Sequence, residues 1–204
     1  MDTVIGVLAL QGGFASHIAI LKKIGEQAIE VRTEKDLALC GKLIIPGGES
    51  TVLTKLLMES DSGPAASKPW KPGPLFKAIG QFASVNPVMG TCAGLIMLAR
   101  PCNDERVVSL DLLPVTVERN AYGRQTESFV QKIEFEGKPC PATFIRAPRI
   151  ISVEDGVAVL AWAPNASGEK DPVMVRYGHL LGLTFHPELT PNETRIHEYF
   201  VTMR

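Results

Sequence analysis

Residues 88–95 read Val88-Met89-Gly90-Thr91-Cys92-Ala93-Gly94-Leu95. A short apolar run leads into a cysteine set between small residues, and a helical pattern begins near Ala93. Such a strand–turn–helix junction is typical of a nucleophile elbow, whose tight turn lifts the side chain clear of a sheet. The positive end of the following helix and a nearby histidine would both favour the thiolate. Because free cysteine is often a buried small hydrophobe, the turn alone is equally consistent with plain packing.

On both sides of this turn, apolar runs that suit buried strands alternate with helical patterns. Strands are predicted at 4–10, 28–31, 43–45 and 88–89, and helices at 15–24, 49–58 and 75–83. Further strands are predicted at 115–118, 130–135, 143–145, 157–163, 173–177 and 180–185, before a closing helix at 192–203. This order predicts an α/β three-layer sandwich with a mixed, mainly parallel central sheet, to which the later strands make a partly antiparallel addition.

Size and composition indicate one soluble domain. The 204 residues predict a single domain over 1–204, and the aperiodic stretch 59–74 predicts a surface loop insertion. A net charge of −1 gives no reason to expect nucleic acid or an anionic membrane as a partner. No apolar run approaches the roughly 20 residues that span a bilayer. Four scattered cysteines and an N-terminus without a signal-peptide pattern favour reduced thiols in the cytoplasm over two disulfides.

A second motif supplies what a cysteine nucleophile needs. Phe185-His186-Pro187-Glu188 follows a predicted strand, which puts His186 at the strand's carboxyl end, where ligands bind in open α/β sheets. Glu188 can accept the imidazole N–H and fix the tautomer of the base. An isolated tripeptide of this kind is more often a structural loop. Together with Cys92, it predicts a Cys-His-Glu triad.

The segment Pro46-Gly47-Gly48-Glu49-Ser50 follows another predicted strand. Two glycines allow a backbone N–H to turn toward a developing oxyanion, and the amide of Ala93 is the natural second donor. A bare tight turn before a helix is the competing interpretation. The segment lacks the lysine and spacing of a phosphate-binding loop.

Three other histidines have plainer interpretations. His17 and His197 lie in predicted helices and are expected to be structural or exposed, while His179 lies in an apparent turn between strands. The histidines and cysteines lack the ligand spacing of a zinc site, and no calcium-binding pattern occurs, so no metal is predicted.

In combination, these motifs resemble the class I, triad-type glutamine amidotransferases, which are flavodoxin-like. Within that family the resemblance is closest to the glutaminase subunit of pyridoxal 5'-phosphate synthase, and it spans nearly the whole chain in order. The motifs are LALQG at 8–12, PGGEST at 46–51, GTCAGLI at 90–96, RNAYGRQTESF at 119–129, FIRAP at 144–148 and FHPELT at 185–190.

The resemblance implies a role for each matching residue. Cys92 would be the nucleophile, His186 the general base and later acid, and Glu188 the orienting carboxylate. The residues that would contact the glutamine substrate are Gly47, Gly48, Glu49, Arg119, Ile145 and Arg146. Gly48 and Ala93 would form the oxyanion hole, and Gln11 would support it near the contact with a partner. Without the family, Arg119 and Arg146 are more simply solvated surface residues.

The function implied by the resemblance is hydrolysis of L-glutamine to L-glutamate and ammonia. The ammonia would pass to a (β/α)8-barrel synthase subunit in a large hetero-oligomer, where pyridoxal 5'-phosphate is a product and not a cofactor. Activity would rise on assembly if the Gly47-Gly48 peptide turns its N–H into the oxyanion hole only when a partner is docked. Relative to the compact form of the family, 59–74 looks like an extra loop and 101–110 looks altered. The alternatives are a glutaminase of another pathway, a γ-glutamyl hydrolase and a non-catalytic regulatory subunit.

Overall fold

A computed structural model describes residues 3–59, 71–119, 128–165, 167–190 and 192–204 of the chain. Its strands are β1 Ile5–Leu8, β2 Ala28–Val31, β3 Lys42–Ile45, β4 Met58–Glu59, β5 Lys71–Pro72, β6 Val88–Thr91, β7 Val115–Glu118, β8 Phe129–Phe135, β9 Lys138–Phe144, β10 Arg149–Val153, β11 Ala158–Pro164, β12 Lys170–Tyr177 and β13 Leu180–Leu183. Its α-helices are α1 Phe14–Lys23, α2 Glu34–Leu37, α3 Ser50–Leu57, α4 Pro74–Ala83, α5 Ala93–Leu98 and α6 Arg195–Thr202, with a 3-10 turn at Pro187–Leu189.

Seven strands form the central sheet in the order β11-β12-β13-β6-β3-β1-β2. The five strands from β13 to β2 are parallel, and β12 and β11 continue the sheet in antiparallel fashion. The parallel strands β1, β3, β6 and β13 are buried along their whole length, which explains why they are mostly apolar and show no alternation with polar residues.

Each face of the sheet has its own apolar cluster. On one face, Leu21 of α1 and Phe200 of α6 pack with Phe185 and the β8–β9 hairpin. On the other, α3, α4 and α5 pack with the β7–β10 pair, and Leu37 of α2 joins them. The mixed, mainly parallel sheet between two layers is the predicted architecture.

The structure corrects part of the prediction for the later strands. Only β11, β12 and β13 join the central sheet, whereas β8 pairs with β9 and β7 pairs with β10 as separate two-stranded ribbons. In the β8–β9 hairpin, the buried side chains alternate along one face and cover the sheet, so the hairpin is not free to extend its edge. Strand β10 and helix α2 are additional elements that periodicity did not reveal.

The predicted loop insertion over 59–74 falls mostly outside the described residues. Its two ends pair as β4 and β5, with Met58 opposite Pro72 and Glu59 opposite Lys71. The closing helix begins three residues later than predicted, at Arg195.

Candidate active site

The loops that follow four adjacent parallel strands meet at one edge of the sheet. Gln11 follows β1, Gly47 and Gly48 follow β3, Cys92 follows β6 and His186 follows β13. Because these strands are parallel neighbours, their carboxyl ends lie side by side. This arrangement brings residues 175 positions apart in the sequence, Gln11 and His186, to the same place.

Cys92 occupies the sharp turn between β6 and α5. Its φ of 49° and ψ of −101° are rare for a residue with a side chain, and the thiol is nearly buried, with 6% of the residue exposed. The turn is tight because α5 approaches β3 closely: a Cβ on Gly94 would lie 2.0 Å from the Ile45 carbonyl oxygen. The predicted elbow geometry is therefore present.

His186 lies between Cys92 and Glu188. Its ring and the Cys92 side chain line the same cavity, and its Nδ1 lies 2.7 Å from Glu188 Oε1. Its backbone N–H donates to the Thr143 carbonyl at 2.8 Å, which fixes the residue against β9. Burial by itself lowers the pKa of His186, but the hydrogen bonds to Cys92 and Glu188 outweigh it and raise the pKa to about 10.

Gly47 packs closely against the side chains of Cys92 and His186. Its N–H donates to Thr91 Oγ1 at 2.9 Å, and its carbonyl accepts from the Gly13 amide at 3.1 Å. A Cβ on Gly47 would lie 2.3 Å from the Cε1 atom of His186 and 3.2 Å from Cys92 Cβ. Only glycine therefore fits beside the two side chains.

A cavity of about 340 Å³ opens over Cys92 and His186, near the small end of the size range of ligand sites. Seven of the predicted site residues line it: Gly48, Glu49, Cys92, Arg119, Ile145, Arg146 and His186. The other four, Gln11, Gly47, Ala93 and Glu188, do not line it. Gln11 lies next to the loop, where its Oε1 accepts from the Glu49 amide at 3.1 Å.

Charged groups of both signs surround the cavity. Glu49 caps α3, where its carboxylate accepts from the Val52 amide at 2.8 Å, and it lies 3.3 Å from Arg119 Nη2. Burial raises the pKa of Glu49, but the hydrogen bonds from Thr51 and Val52 and the charge of Arg119 outweigh it and leave the pKa lowered. Arg119 also pairs with Asp104. The cavity thus holds an ionised carboxylate beside guanidinium groups.

The structure adds residues that sequence patterns did not reveal. Arg106 and Pro148 line the cavity, and Asp104 hydrogen-bonds both Arg106 and Arg119. Arg106 and Asp104 come from the altered stretch 101–110, so only that departure hinted at them. Residues 120–127 of the RNAYGRQTESF motif lie outside the described residues.

His17 and His197 are not exposed. Both are fully buried on the inner side of the triad, and His17 Nε2 lies 3.2 Å from Glu188 Oε2. His179 instead binds the Ala83 carbonyl through its Nε2, at 2.8 Å. Helical spacing placed His17 and His197 correctly on α1 and α6, but it carries no information on which helices pack against the sheet near Glu188.

Two features are absent from the part of the chain that the structure describes. No cluster of three or more histidine, cysteine, aspartate or glutamate side chains there is arranged to hold a metal ion. None of the helices there has the length and apolar character that crossing a membrane requires.

The fold is that of the class I glutamine amidotransferases. A solved structure described as a glutamine amidotransferase superposes with a TM-score of 0.80 at 38% identity, covering 97% of this chain and 96% of the other. The chain belongs to the SNO glutamine amidotransferase family, whose model matches residues 7–204.

Curated relatives match along nearly the whole chain. A protein of Solibacter usitatus named pyridoxal 5'-phosphate synthase subunit PdxT is 42% identical, with 97% of each chain covered. One of the same name from Thermoplasma volcanium is 43% identical, covering 98% of this chain and 94% of the relative. A more distant structure, PurLQS from Thermotoga maritima, has a TM-score of 0.65 at 13% identity and shares the fold alone.

Proposed function

We propose that this chain is a single glutaminase domain that hydrolyses L-glutamine and supplies ammonia to a pyridoxal 5'-phosphate synthase. The observation that carries the proposal is the Cys92–His186–Glu188 array at the base of a cavity that holds Glu49, Arg119 and Arg146. The names of the relatives supply the pathway.

The charges of the cavity suit the two ends of an amino acid. A guanidinium of Arg119 or Arg146 can hold the α-carboxylate, since arginine binds carboxylates through paired hydrogen bonds. The Glu49 carboxylate can receive the α-ammonium. With both ends held, the side-chain amide of glutamine would reach toward Cys92, between Ile145 and the glycine loop.

The proposed reaction begins when the Cys92 thiolate attacks the δ-carbonyl carbon of glutamine. The raised pKa of His186 keeps its ring protonated, and a protonated imidazole beside a cysteine favours the thiolate. The amides of Gly48 and Ala93 would hold the oxyanion, with Gln11 supporting the loop. As the C–N bond breaks, His186 gives its proton to the departing ammonia and a γ-glutamyl thioester remains. His186 then takes a proton from water, which attacks the thioester and releases glutamate.

Ammonia that escapes into water is protonated and lost as a nucleophile, so the proposal includes a docked synthase subunit. By resemblance this partner is a (β/α)8 barrel. The outer face of α3, directly after the glycine loop, supports docking there, because Val52 and Leu56 are 41% and 51% exposed at helical spacing. The cytoplasm is part of the same proposal, supported by the four free cysteines.

The test is glutamate release from L-glutamine by the wild-type chain and by Cys92→Ala, each with and without the synthase subunit of the same organism. We expect the synthase to raise the wild-type rate, and Cys92→Ala to lose at least about 1,000-fold in kcat while still folding, because loss of a nucleophile removes the covalent path.

Circular dichroism checks that Cys92→Ala folds, and a γ-glutamyl dipeptide serves as the alternative substrate. An unchanged rate in Cys92→Ala excludes the triad mechanism. Equal turnover with and without the synthase contradicts activation by assembly, and faster cleavage of the dipeptide than of glutamine contradicts the assigned substrate.

A further inference from the structure

Two buried histidines lie behind the triad and are joined to each other. His17 of α1 and His197 of α6 are 180 positions apart, and His17 Nδ1 lies 2.9 Å from His197 Nε2. Both residues are 0% exposed. Imidazole is costly to bury without polar partners, so a pair of buried rings in contact calls for a reason beyond filling space.

The other nitrogen of His17 faces the triad. His17 Nε2 lies 3.2 Å from Glu188 Oε2 and 3.5 Å from Thr91 Oγ1. Within the described ranges, Glu188 Oε2 has no hydrogen-bond partner, so its contact with His17 is electrostatic. The Glu188 side chain is itself 0% exposed. The His17 ring therefore lies against the carboxylate oxygen that His186 leaves free.

The charge of Glu188 decides the order of the hydrogens along this chain. The Thr91 hydroxyl could donate to His17 Nε2, but a lone pair on Nε2 would then face an ionised carboxylate 3.2 Å away, so His17 carries its proton on Nε2. The Nδ1 atom of His17 is then an acceptor, and His197 must donate to it through Nε2–H. His197 Nδ1 is left as a lone pair, and it has no hydrogen-bond partner among residues 3–59, 71–119, 128–165, 167–190 and 192–204.

Both rings are neutral in this arrangement. Burial lowers the pKa of His17, an effect that the charge of Glu188 only partly offsets, and burial lowers the pKa of His197 to about 3. Burial raises the pKa of the Glu188 carboxyl, but positive charge at the His17 and His186 rings and the hydrogen bond from His186 outweigh it and leave the pKa lowered. With His17 neutral, the cationic ring of His186 supplies this charge, and His17 adds the dipole of its N–H.

We propose that His17 is a positioning residue for the glutaminase reaction. It holds its Nε2–H against the free oxygen of Glu188, where the positive end of the N–H dipole favours the ionised carboxylate that His186 contacts, and His197 fixes the tautomer of His17. The inference rests on the proposed function. It adds two residues behind the triad, neither of which lines the substrate cavity.

This arrangement predicts how the pH profile responds to mutation. The titratable groups that face Glu188 from the elements packed against it are His186, His17 and, through His17, His197. Cys92 shares the cavity with His186 on the other side of the ring. Without His17 the Glu188 carboxylate is easier to protonate, so activity is lost at a higher pH during acidification.

The first test is kinetic, with the synthase subunit present. In His17→Leu we expect kcat to fall about 10- to 100-fold, the usual effect of removing the group that orients a functional histidine, with KM within about twofold. The acid limb of kcat/KM should move up by about one pH unit, the effect of one donor on a carboxylate. His17→Gln, whose amide N–H can replace Nε2–H, should keep kcat within about threefold of the wild type. It should also return the acid limb of kcat/KM to the wild-type pH.

His179→Leu is the matched control, since it removes a histidine that binds only a backbone carbonyl, away from the triad. It should leave the pH profile unchanged. If His17→Leu matches the wild type in kcat and in the acid limb, the inference is wrong while the proposed function stands. A wild-type chain that releases no glutamate with the synthase present contradicts both the role of His17 and the proposed function.

The second test needs no activity and no variant, so it holds even if His17→Leu fails to fold. Nitrogen-15 NMR of the wild-type chain reports the tautomer of each ring, and the chain has only four histidines to assign. We expect His17 and His197 to be neutral and protonated on Nε2 at pH 7. A proton on Nδ1 of His17 would overturn the proposal.

Discussion

At the scale of single residues, the backbone of Cys92 stores strain where the thiol is presented. Its positive φ places Cβ in a crowded region that costs about 1–3 kcal/mol for a residue other than glycine. Cys92→Ala and Cys92→Gly both remove the sulfur, and they differ only in keeping or losing that Cβ.

We therefore expect Cys92→Gly to be more stable than Cys92→Ala by about 1 kcal/mol. The relief of strain exceeds the extra chain entropy that glycine brings to the unfolded state, about 0.5–1 kcal/mol. Urea unfolding of the two variants measures the difference. A more stable Cys92→Ala would mean that the turn is unstrained.

Residues also set the limit of what the sequence reveals about the site. Cys92, His186 and Glu188 were predicted as a triad because their residue types suit nucleophile, base and orienting carboxylate, and because each follows a strand at a recognisable position. Asp104 and Arg106 were not, because an exposed salt bridge in a loop leaves no pattern in the sequence. His17 was placed on its helix, yet its contact with Glu188 depends on how α1 packs, which periodicity does not specify.

At the scale of elements, the contact of α5 with β3 holds the elbow in place. Gly94 lets the helix approach so closely that a methyl group would overlap the Ile45 carbonyl. Gly80 in α4 is a matched comparison, because its added Cβ would meet only Leu110 Cδ2, at 3.4 Å.

We expect Gly94→Ala to lower the free energy of unfolding by about 2–4 kcal/mol, the range for overpacking that the backbone must absorb. Gly80→Ala should raise it by about 0.5–1 kcal/mol, since alanine favours a helix interior. Thermal and urea unfolding of both variants provide the test. Equal stabilities for the two would show that α5 shifts freely.

Elements of this kind were predicted best where burial is complete. Strands β1, β3, β6 and β13 were found because they are buried along their whole length and are mostly apolar. The two ribbons were placed wrongly in the sheet because a strand that covers a face and a strand that extends an edge have similar composition. Only tertiary packing distinguishes them.

At the scale of the whole molecule, the buried histidines couple folding to pH. A histidine whose pKa falls on folding binds protons more readily in the unfolded chain, so stability is complete above pH 6.5 and declines as the pH drops toward the folded value. For His197, that window runs from 6.5 to about 3. His186 has the opposite sign, because its raised pKa contributes stability at low pH that is lost as the pH rises toward 10.

Between pH 7 and pH 5 we expect the wild type to lose about 2 kcal/mol more stability than His197→Gln, which removes one such group and leaves His186 in place. Urea unfolding at the two pH values measures this difference. His179→Gln, which changes a histidine outside the buried pair, should follow the wild type. Parallel losses in the wild type and His197→Gln would show that His197 is protonated in the folded protein.

The contact between α1 and α6, formed by His17 and His197, also limits where a label can be attached to the protein. A fluorophore on the inner turns of α6 would push against His197 and, through His17, disturb the carboxylate behind the active cysteine. The tip of the β8–β9 hairpin is a better attachment point, because the turn at Glu136 and Gly137 has open space around the Gly137 Cα. A dye attached there could report on assembly with a synthase and would leave the active site of the labelled protein undisturbed.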